Sequence, residues 1–325
     1  MMKRALITGC YGQDGSYLAE LLAGKGYEIH GICKSELSEN SRRIKKELTG
    51  EGVDVTEHTV SLYDYKEISS LIADIKPGFV FHMAAVHHSS EYSFGDRVLT
   101  EKELFDKNVL ATSNILCACS TLNTGIHVVA AGSCLMFDDT DTDIQDEATA
   151  YRSGSMYGLA KIAEGSLVKY YRDNGLHVSQ AILYNHESHR RSDSFVTKKI
   201  ANGLKNIING RQDVIELGDI SVMKDWGFAG DYAEGMYLMA ESDTPGDYVL
   251  ATGVLHSIEN YIRVCAKLYD INNYEKYLRT SATQISRKVG CKLRGRPLRA
   301  EKELGWKRKY SFEAMARDIV DGGLF

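Results

Sequence analysis

Along the first thirty residues the apolar positions change period twice. Ala5-Leu6-Ile7-Thr8 is an apolar run of strand length, and it opens into Gly9-Cys10-Tyr11-Gly12-Gln13-Asp14-Gly15. Tyr17, Leu18, Leu21 and Leu22 then recur at helical spacing on one face, which ends near Gly24 and Gly26 before a second strand at Tyr27 to Ile32. The same alternation predicts strands at Phe79–Met83, His127–Ala131 and Val178–Tyr184, and helices around Lys102–Ser120 and Ser155–Arg172. The fold class that follows is α/β, a doubly wound parallel sheet. Beyond Tyr184 the rhythm weakens. A helix near Phe195–Ile208 and a short strand at Val214–Leu217 precede a helix at Ala229–Glu241 and a strand at Tyr248–Ala251 that can return to the main sheet. The expected organisation is a first domain of 1–184, joined by 229–256, with 185–325 forming most of a smaller, interleaved C-terminal lobe.

Composition narrows the class. The 325 residues are 43% hydrophobic and 26% charged, close to ordinary globular usage, with 39 Lys+Arg against 44 Asp+Glu. Three prolines leave no proline-rich linker. No stretch of about 18 apolar residues occurs, and Met1-Met2-Lys3-Arg4 does not begin a signal-peptide pattern, so a cytoplasmic protein without a membrane partner is expected. Seven cysteines without Cys-x-x-Cys spacing read as reduced thiols and not as a disulfide frame or zinc site. Residues 276–309 hold 12 Lys/Arg and 2 Asp/Glu, but only Tyr277 and Trp306 are aromatic there, so nucleic-acid binding is not expected.

The candidate chemistry sits at predicted strand ends. Gly9, Gly12 and Gly15 between a strand and a helix can turn sharply, approach a pyrophosphate and offer it helix N-terminal N–H groups. Tyr157 and Lys161, four apart, share a helical face, so the ammonium can lower the phenol's pKa and make it a proton donor or acceptor. Ser133, just past a strand, can hold the same substrate oxygen. After the second strand stand Cys33-Lys34-Ser35, followed by Arg42 and Arg43, in place of an acidic residue that would bind a ribose 2′-hydroxyl. NADP is therefore expected over NAD, with Glu36 the one nearby carboxylate that opposes this.

With these residues in place the chain resembles the extended short-chain dehydrogenase/reductases, of Rossmann fold, and within them the GDP-mannose 4,6-dehydratase family. Thr8-Gly9-Cys10-Tyr11-Gly12-Gln13-Asp14-Gly15-Ser16-Tyr17-Leu18, Asn185-His186-Glu187-Ser188, Phe195-Val196-Thr197-Lys198-Lys199-Ile200, Lys224-Asp225-Trp226-Gly227 and Ala251-Thr252-Gly253 are similar to its characteristic strings. The resemblance implies a GDP-sugar substrate and a homodimer or homotetramer. It implies that Tyr157 takes a proton from the sugar C4 hydroxyl as hydride leaves C4, that Ser133 holds that oxygen and that Lys161 binds the nicotinamide ribose. It places Tyr11, Gln13, Asp14, Leu62, Ala84 and Ala85 along the cofactor with the glycines, Lys34 and Ser35. Asn185, Val196, Lys199, Lys224, Arg279 and His88 fall to the GDP-sugar, and Asn108 to support of the active-site hydrogen bonds. His186 and Glu187 either order their loop or touch substrate.

One departure decides the expected reaction. Two residues after the serine the dehydratases carry a glutamate that removes the C5 proton and protonates the leaving C6 hydroxyl; here Leu135 stands there. Cys134 is offset by one from the position of an epimerase cysteine in related GDP-fucose synthases, and His87 or His88 is the remaining acid–base candidate. The reading is hydride transfer at C4 (4-ketoreductase, 4-dehydrogenase or C4 epimerase), with 4,6-dehydration through another base as the alternative.

Overall fold

A computed structural model of the chain describes residues 3–86, 94–122, 125–280 and 292–323. Its centre is a seven-stranded, wholly parallel sheet in the order β3-β2-β1-β4-β5-β6-β10. The strands are β1 (Arg4–Thr8), β2 (Glu28–Ile32), β3 (Val55–His58), β4 (Phe79–His82), β5 (His127–Ala131), β6 (Val178–Leu183) and β10 (Asp247–Leu250). Helices α1 (Gln13–Gly24), α2 (Glu39–Gly50), α3 (Tyr65–Ile75), α4 (Phe94–Leu122), α5 (Met156–Asp173) and α7 (Ala229–Glu241) cover it. This is the doubly wound architecture expected from the alternating pattern.

Successive strand residues face opposite layers, and the core divides accordingly. Ala5, Ile7, Phe81, Val129 and Ala181 pack with Leu18 and Leu22 of α1 and Met236 of α7. Leu6, Val80, Val128 and Val178 pack on the other side with Ile68 and Ile72 of α3, Ile115 of α4 and Val168 of α5. Both faces are buried, so the strands read as continuous apolar runs and not as alternating ones.

The departures from expectation lie in weakly patterned segments. No element was expected over 39–75, where the structure has α2, β3 and α3. Helix α2 buries only Ile44 and Leu48, and β3 is the edge strand Val-Thr-Glu-His, so neither shows a strong period. Asp64 starts α3 by accepting from the Lys66 and Glu67 amides. Helix α4 starts eight residues before the expected Lys102.

Beyond β6 the chain leaves the sheet. It forms β7 (Asn185–Glu187), α6 (Val196–Ile208), β8 (Ile215–Leu217) and β9 (Met223–Phe228), then returns through α7 and β10. β11 (Leu255–Ser257), α8 (Ile258–Leu268), β12 (Leu278–Thr280), α9 (Leu298–Glu303) and α10 (Phe312–Asp321) follow. Strands β11, β9 and β7 make a second small sheet, and β12 pairs with β8. Two ties bind this part to the main sheet. Asp225 accepts from Thr252 N at 2.8 Å, Gly253 N at 2.9 Å and Gly295 N at 3.1 Å. Gln145 is bracketed by Tyr184 Oη, which donates to its Oε1, and by backbone bonds to Arg294 and Arg296. Among the described residues no helix is long and apolar enough to cross a membrane, and no cluster of His, Cys, Asp and Glu could hold a metal ion.

Candidate active site

The carboxyl ends of β1, β4, β5 and β6 open on one edge of the sheet, and the candidate residues gather there. Gly9 has φ of +71° and lies so close to Ala84 that an added Cβ would come within 3.2 Å of its backbone. A Cβ at Gly15 would lie 2.3 Å from the Gly9 carbonyl, which leaves no room for any other residue. Gly12 occupies the α1 N-cap without a side-chain cap, so the first N–H groups of α1 are available to an anion.

The Asn185–Ser188 string clasps this turn. Gln13 Nε2 donates to the His186 carbonyl at 3.0 Å, and Ser188 Oγ donates to Gln13 Oε1 at 3.0 Å. His186 Nε2 meets Asp14 Oδ1 at 2.7 Å and Nδ1 meets the Tyr184 carbonyl at 2.7 Å. Both partners only accept, so both ring nitrogens carry protons and the ring is an imidazolium stacked on Tyr232. Burial alone would lower the His186 pKa, but Asp14 outweighs it and the pKa is raised. Burial would likewise raise Asp14, yet His186 and then Arg191 bring it below 3.8. Glu187 is buried and accepts from Thr197 Oγ1 at 2.8 Å. Both residues are thus occupied in ordering the loop.

Tyr157 and Lys161 share helix α5, which packs on the turn that Ser133 caps. Ser155 caps this helix by accepting from Gly158 N, which sets Tyr157 in the first turn and Lys161 one turn later. Ser133 caps the short 3₁₀ turn Cys134–Phe137 after β5, where its Oγ accepts from Leu135 N at 3.2 Å. The two caps are pressed together: a Cβ at Gly158 would lie 2.2 Å from the Leu135 carbonyl and 2.0 Å from Ser153 Oγ. Lys161 Nζ donates to the Ala131 carbonyl at 2.9 Å and to Glu164 Oε2 at 3.0 Å, and lies 5.8 Å from the Tyr157 ring centroid. Burial outweighs the pull of Lys161, so the phenol pKa is raised and not lowered as the Tyr-x-x-x-Lys spacing alone predicts. Arg191 and Glu164 also act on Tyr157, and neither was picked out as a site residue in the sequence, because they lie outside the Tyr-x-x-x-Lys string.

Leu135 is half-buried and packs against the apolar cluster of Cys134, Phe137, Ile182 and Tyr184. Cys134 is buried in that cluster, and its thiol is pushed up to about 12, chiefly by burial, which keeps it protonated near neutrality. His87 and His88 lie outside the described residues. Asn108, expected to support active-site hydrogen bonds, gives both ends of its amide to Val86: it accepts from Val86 N at 2.7 Å and donates to Val86 O at 2.9 Å.

In the smaller lobe Asn185 and Lys224 stand on neighbouring strands, since Asn185 pairs with Trp226 across β7 and β9. Val196 and Lys199 are half-buried at the start of α6, whereas Arg279 is exposed on β12 in the separate two-stranded sheet. At the other end of the cleft, Lys34 and Ser35 are exposed after β2 and Arg42 is exposed on α2. Arg43 instead donates to the His189 carbonyl at 3.0 Å. Tyr11 Oη donates to Glu57 Oε1 at 2.7 Å, and Lys45 pairs with the same carboxylate. Leu62 is half-buried, its carbonyl held by Asn114, and Ala85 is exposed beside Ala84.

Comparison with known proteins identifies the family and the fold. The family model for GDP-mannose 4,6-dehydratase matches residues 6–319. GDP-mannose 4,6 dehydratase 2 of Arabidopsis thaliana is 34% identical over 99% of this chain and 87% of its own length. A GDP-mannose 4,6-dehydratase of Vibrio cholerae is 35% identical over 82% of this chain and 72% of its own length. Among solved structures, the dTDP-glucose 4,6-dehydratase of Bacillus anthracis in complex with NAD superposes with a TM-score of 0.83 at 15% identity, covering 98% of this chain and 96% of that one. The UDP-glucose 4-epimerase of Bifidobacterium longum in complex with NAD+ and UDP gives 0.82 at 17%, covering 98% of each. At these identities the structural matches establish the fold alone. The chain belongs to the GDP-mannose 4,6-dehydratase family, a nucleotide-sugar-modifying branch of the extended short-chain dehydrogenase/reductases.

Proposed function

We propose that the protein is an NADP-dependent enzyme that transfers hydride at C4 of a GDP-sugar, as a 4-ketoreductase, 4-dehydrogenase or C4 epimerase. The observation that supports this reading is the apolar Leu135 packed beside the first turn of α5, the helix that carries Tyr157 and Lys161. When bound, the nicotinamide supplies or accepts the hydride. Tyr157 then moves the proton at the C4 oxygen, Ser133 orients that oxygen and Lys161 holds the ribose. Leucine has no proton to exchange, so elimination across C5 and C6 has no acid–base partner at that position.

The residues present fit the cofactor. The open first turn of α1 and the glycine contacts suit a pyrophosphate, and the exposed Lys34, Ser35 and Arg42 suit a 2′-phosphate. Glu57 does not oppose it, because Lys45 balances its charge. Asn185, Lys199, Lys224 and Arg279 supply polar and cationic groups for the GDP moiety. Leu110 on α4 and Leu159 and Tyr170 on α5 expose apolar surface on two adjoining helices, which supports a homodimer or homotetramer. The free cysteines among the described residues support a cytoplasmic setting.

A second reading, 4,6-dehydration through another base, is favoured by the activity named for the relatives. Mass spectrometry of GDP-sugars incubated with the enzyme and NADP or NADPH separates the two. Gain or loss of two hydrogens, or an isomer of unchanged mass, supports C4 chemistry. Loss of water from GDP-mannose at ordinary enzymatic rates refutes it. Leu135→Glu is expected to introduce slow water loss, because general acid–base help is worth about 10²–10⁴ in rate.

A further inference from the structure

Glu164 follows Lys161 by three residues on α5, and a chain of buried hydrogen bonds ends on its carboxylate. Glu164 Oε2 accepts from Lys161 Nζ at 3.0 Å and from Thr112 Oγ1 at 2.9 Å. Thr112 Oγ1 lies 3.1 Å from His82 Nε2, and His82 Nδ1 lies 2.9 Å from Thr8 Oγ1. Thr8 Oγ1 in turn accepts from the Met83 and Ala84 amides at 3.1 and 3.0 Å. Thr8, His82, Thr112, Glu164 and Lys161 are all buried.

Donor counting fixes every proton in this chain. A carboxylate only accepts, so the Thr112 hydroxyl points at Glu164, and its oxygen must receive a proton from His82 Nε2. Thr8 Oγ1 already receives two amides, so its own hydroxyl points at His82 Nδ1. His82 is therefore the neutral Nε2–H tautomer; burial and the Lys161 ammonium push its pKa down to about 3. All donors run one way, from the glycine turn to Glu164, and hold it as an anion against Lys161.

Stability alone is a weak reason for this anion. A buried ion pair roughly breaks even against apolar packing, and Glu164 Oε1 has no hydrogen-bond partner among the described residues. Its position has a chemical consequence. Besides burial, the charged or titratable groups that act on Tyr157 among the described residues include Lys161 and Glu164 on its own helix, Arg191 before α6, and Cys134 after β5. Arg191 is paired with Glu187 at 3.3 Å, and the Cys134 thiol is neutral. Among the described residues Glu164 is the carboxylate paired with the Lys161 ammonium, and it acts on Tyr157 in the opposite sense.

We propose that Glu164 is a positioning residue for proton transfer at Tyr157: it aims the Lys161 ammonium and opposes its pull on the phenol, so that the buried phenol keeps its proton and donates it to a C4 ketone. This rests on the C4 reading above and assigns its favoured direction as reduction.

The test follows the phenol itself and needs no substrate. Protein labelled with [¹³Cζ]tyrosine is titrated by NMR, and the Tyr157 signal is assigned by its loss in Tyr157→Phe. Glu164→Gln is expected to lower the Tyr157 midpoint by about 1–2 pH units, and Glu164→Asp, which keeps the charge, to leave it near the parent value. An unmoved midpoint in Glu164→Gln, or the same shift in Glu164→Asp, overturns the assignment. Should Glu164→Gln fail to fold, Glu164→Ala with Thr112→Val removes the carboxylate together with the donor facing it and carries the same expectation. A shifted midpoint in a protein that moves no hydride to or from any GDP-sugar supports the Glu164 assignment and refutes the C4 reading. An unshifted midpoint with ordinary turnover does the reverse.

Discussion

Gly158→Ala is the smallest change that tests how the site is assembled. The added methyl would stand 2.2 Å from the Leu135 carbonyl and 2.0 Å from Ser153 Oγ. Ser153 can turn away, although it then loses its bond from Ser155 N at 3.1 Å. The carbonyl is backbone and cannot. Restoring an ordinary contact of about 3.4 Å or more means parting α5 from the Cys134–Phe137 turn by roughly 1 Å. Overpacking of this kind costs about 1–3 kcal/mol. The parting also moves α5, with Tyr157, away from the turn that Ser133 caps, and a misplacement of about 1 Å can cost on the order of 10²-fold in rate. Expected results are a melting temperature lower by a few degrees and a single-turnover hydride rate about 100-fold lower, read by nicotinamide absorbance. Gly24→Ala is the control: it is exposed at the end of α1, nothing lies within 4 Å of its added methyl, and the change should be neutral or slightly stabilising. A Gly158→Ala enzyme within threefold of the parent rate and with an unchanged melting temperature would refute the view that the tight helix contact sets the site's geometry.

Tyr157→Phe should abolish turnover while NADP affinity, measured by fluorescence titration, stays within about tenfold, because the phenol serves the sugar oxygen. Lys224→Ala should weaken GDP binding in calorimetry by about 1–3 kcal/mol and leave NADP binding unmoved; equal losses for both ligands would show that Lys224 supports the fold and not the nucleotide. The His186–Asp14 pair gives a pH signature. The raised His186 contributes stability fully below its unfolded value of 6.5 and loses it as pH rises through the folded midpoint, while the lowered Asp14 contributes fully above 3.8 and loses it as pH falls through its own. The melting-temperature gap between the parent and His186→Gln should therefore be widest between about pH 4 and 6.5 and should narrow on the alkaline side; a gap that widens with rising pH contradicts an imidazolium.

Elements whose burial is one-dimensional were legible in the chain. Strand β5 falls on the expected His127–Ala131 and α7 on Ala229–Glu241, because a strand buried on both faces and an amphipathic helix each write their surroundings into a period. Helix α2 and strand β3 could not be read that way. They sit at the sheet edge, where Ile44 and Leu48 alone are buried on α2 and the rest of its surface is polar. The glycine turn and the Tyr157–Lys161 spacing were local strings and could be found. Glu164, Thr112 and His82 could not, since what joins them is a set of tertiary hydrogen bonds spanning 30 and 52 residues. Asn108, read from the resemblance as a support for active-site hydrogen bonds, holds the Val86 backbone with both ends of its amide, a tie across 22 residues that no local string encodes.

The Gln145 tie has a consequence for synthesis. Tyr157 and Lys161 leave the ribosome early, but the segment that brackets Gln145 includes Arg294 and Arg296, well over a hundred residues later. Strand β6 also waits for β10, at Asp247–Leu250, before its outer edge is paired. At about 5–20 residues per second, the interval between Lys161 and Arg296 is roughly 7–27 s. For roughly 3–13 s of it, until β10 follows β6, the nascent chain carries a row of unpaired strand amides beside an apolar surface, an arrangement open to pairing with another nascent chain. The late return of β10 thus leaves the β6 edge open for a time set by translation speed, and slower elongation should lengthen the exposure.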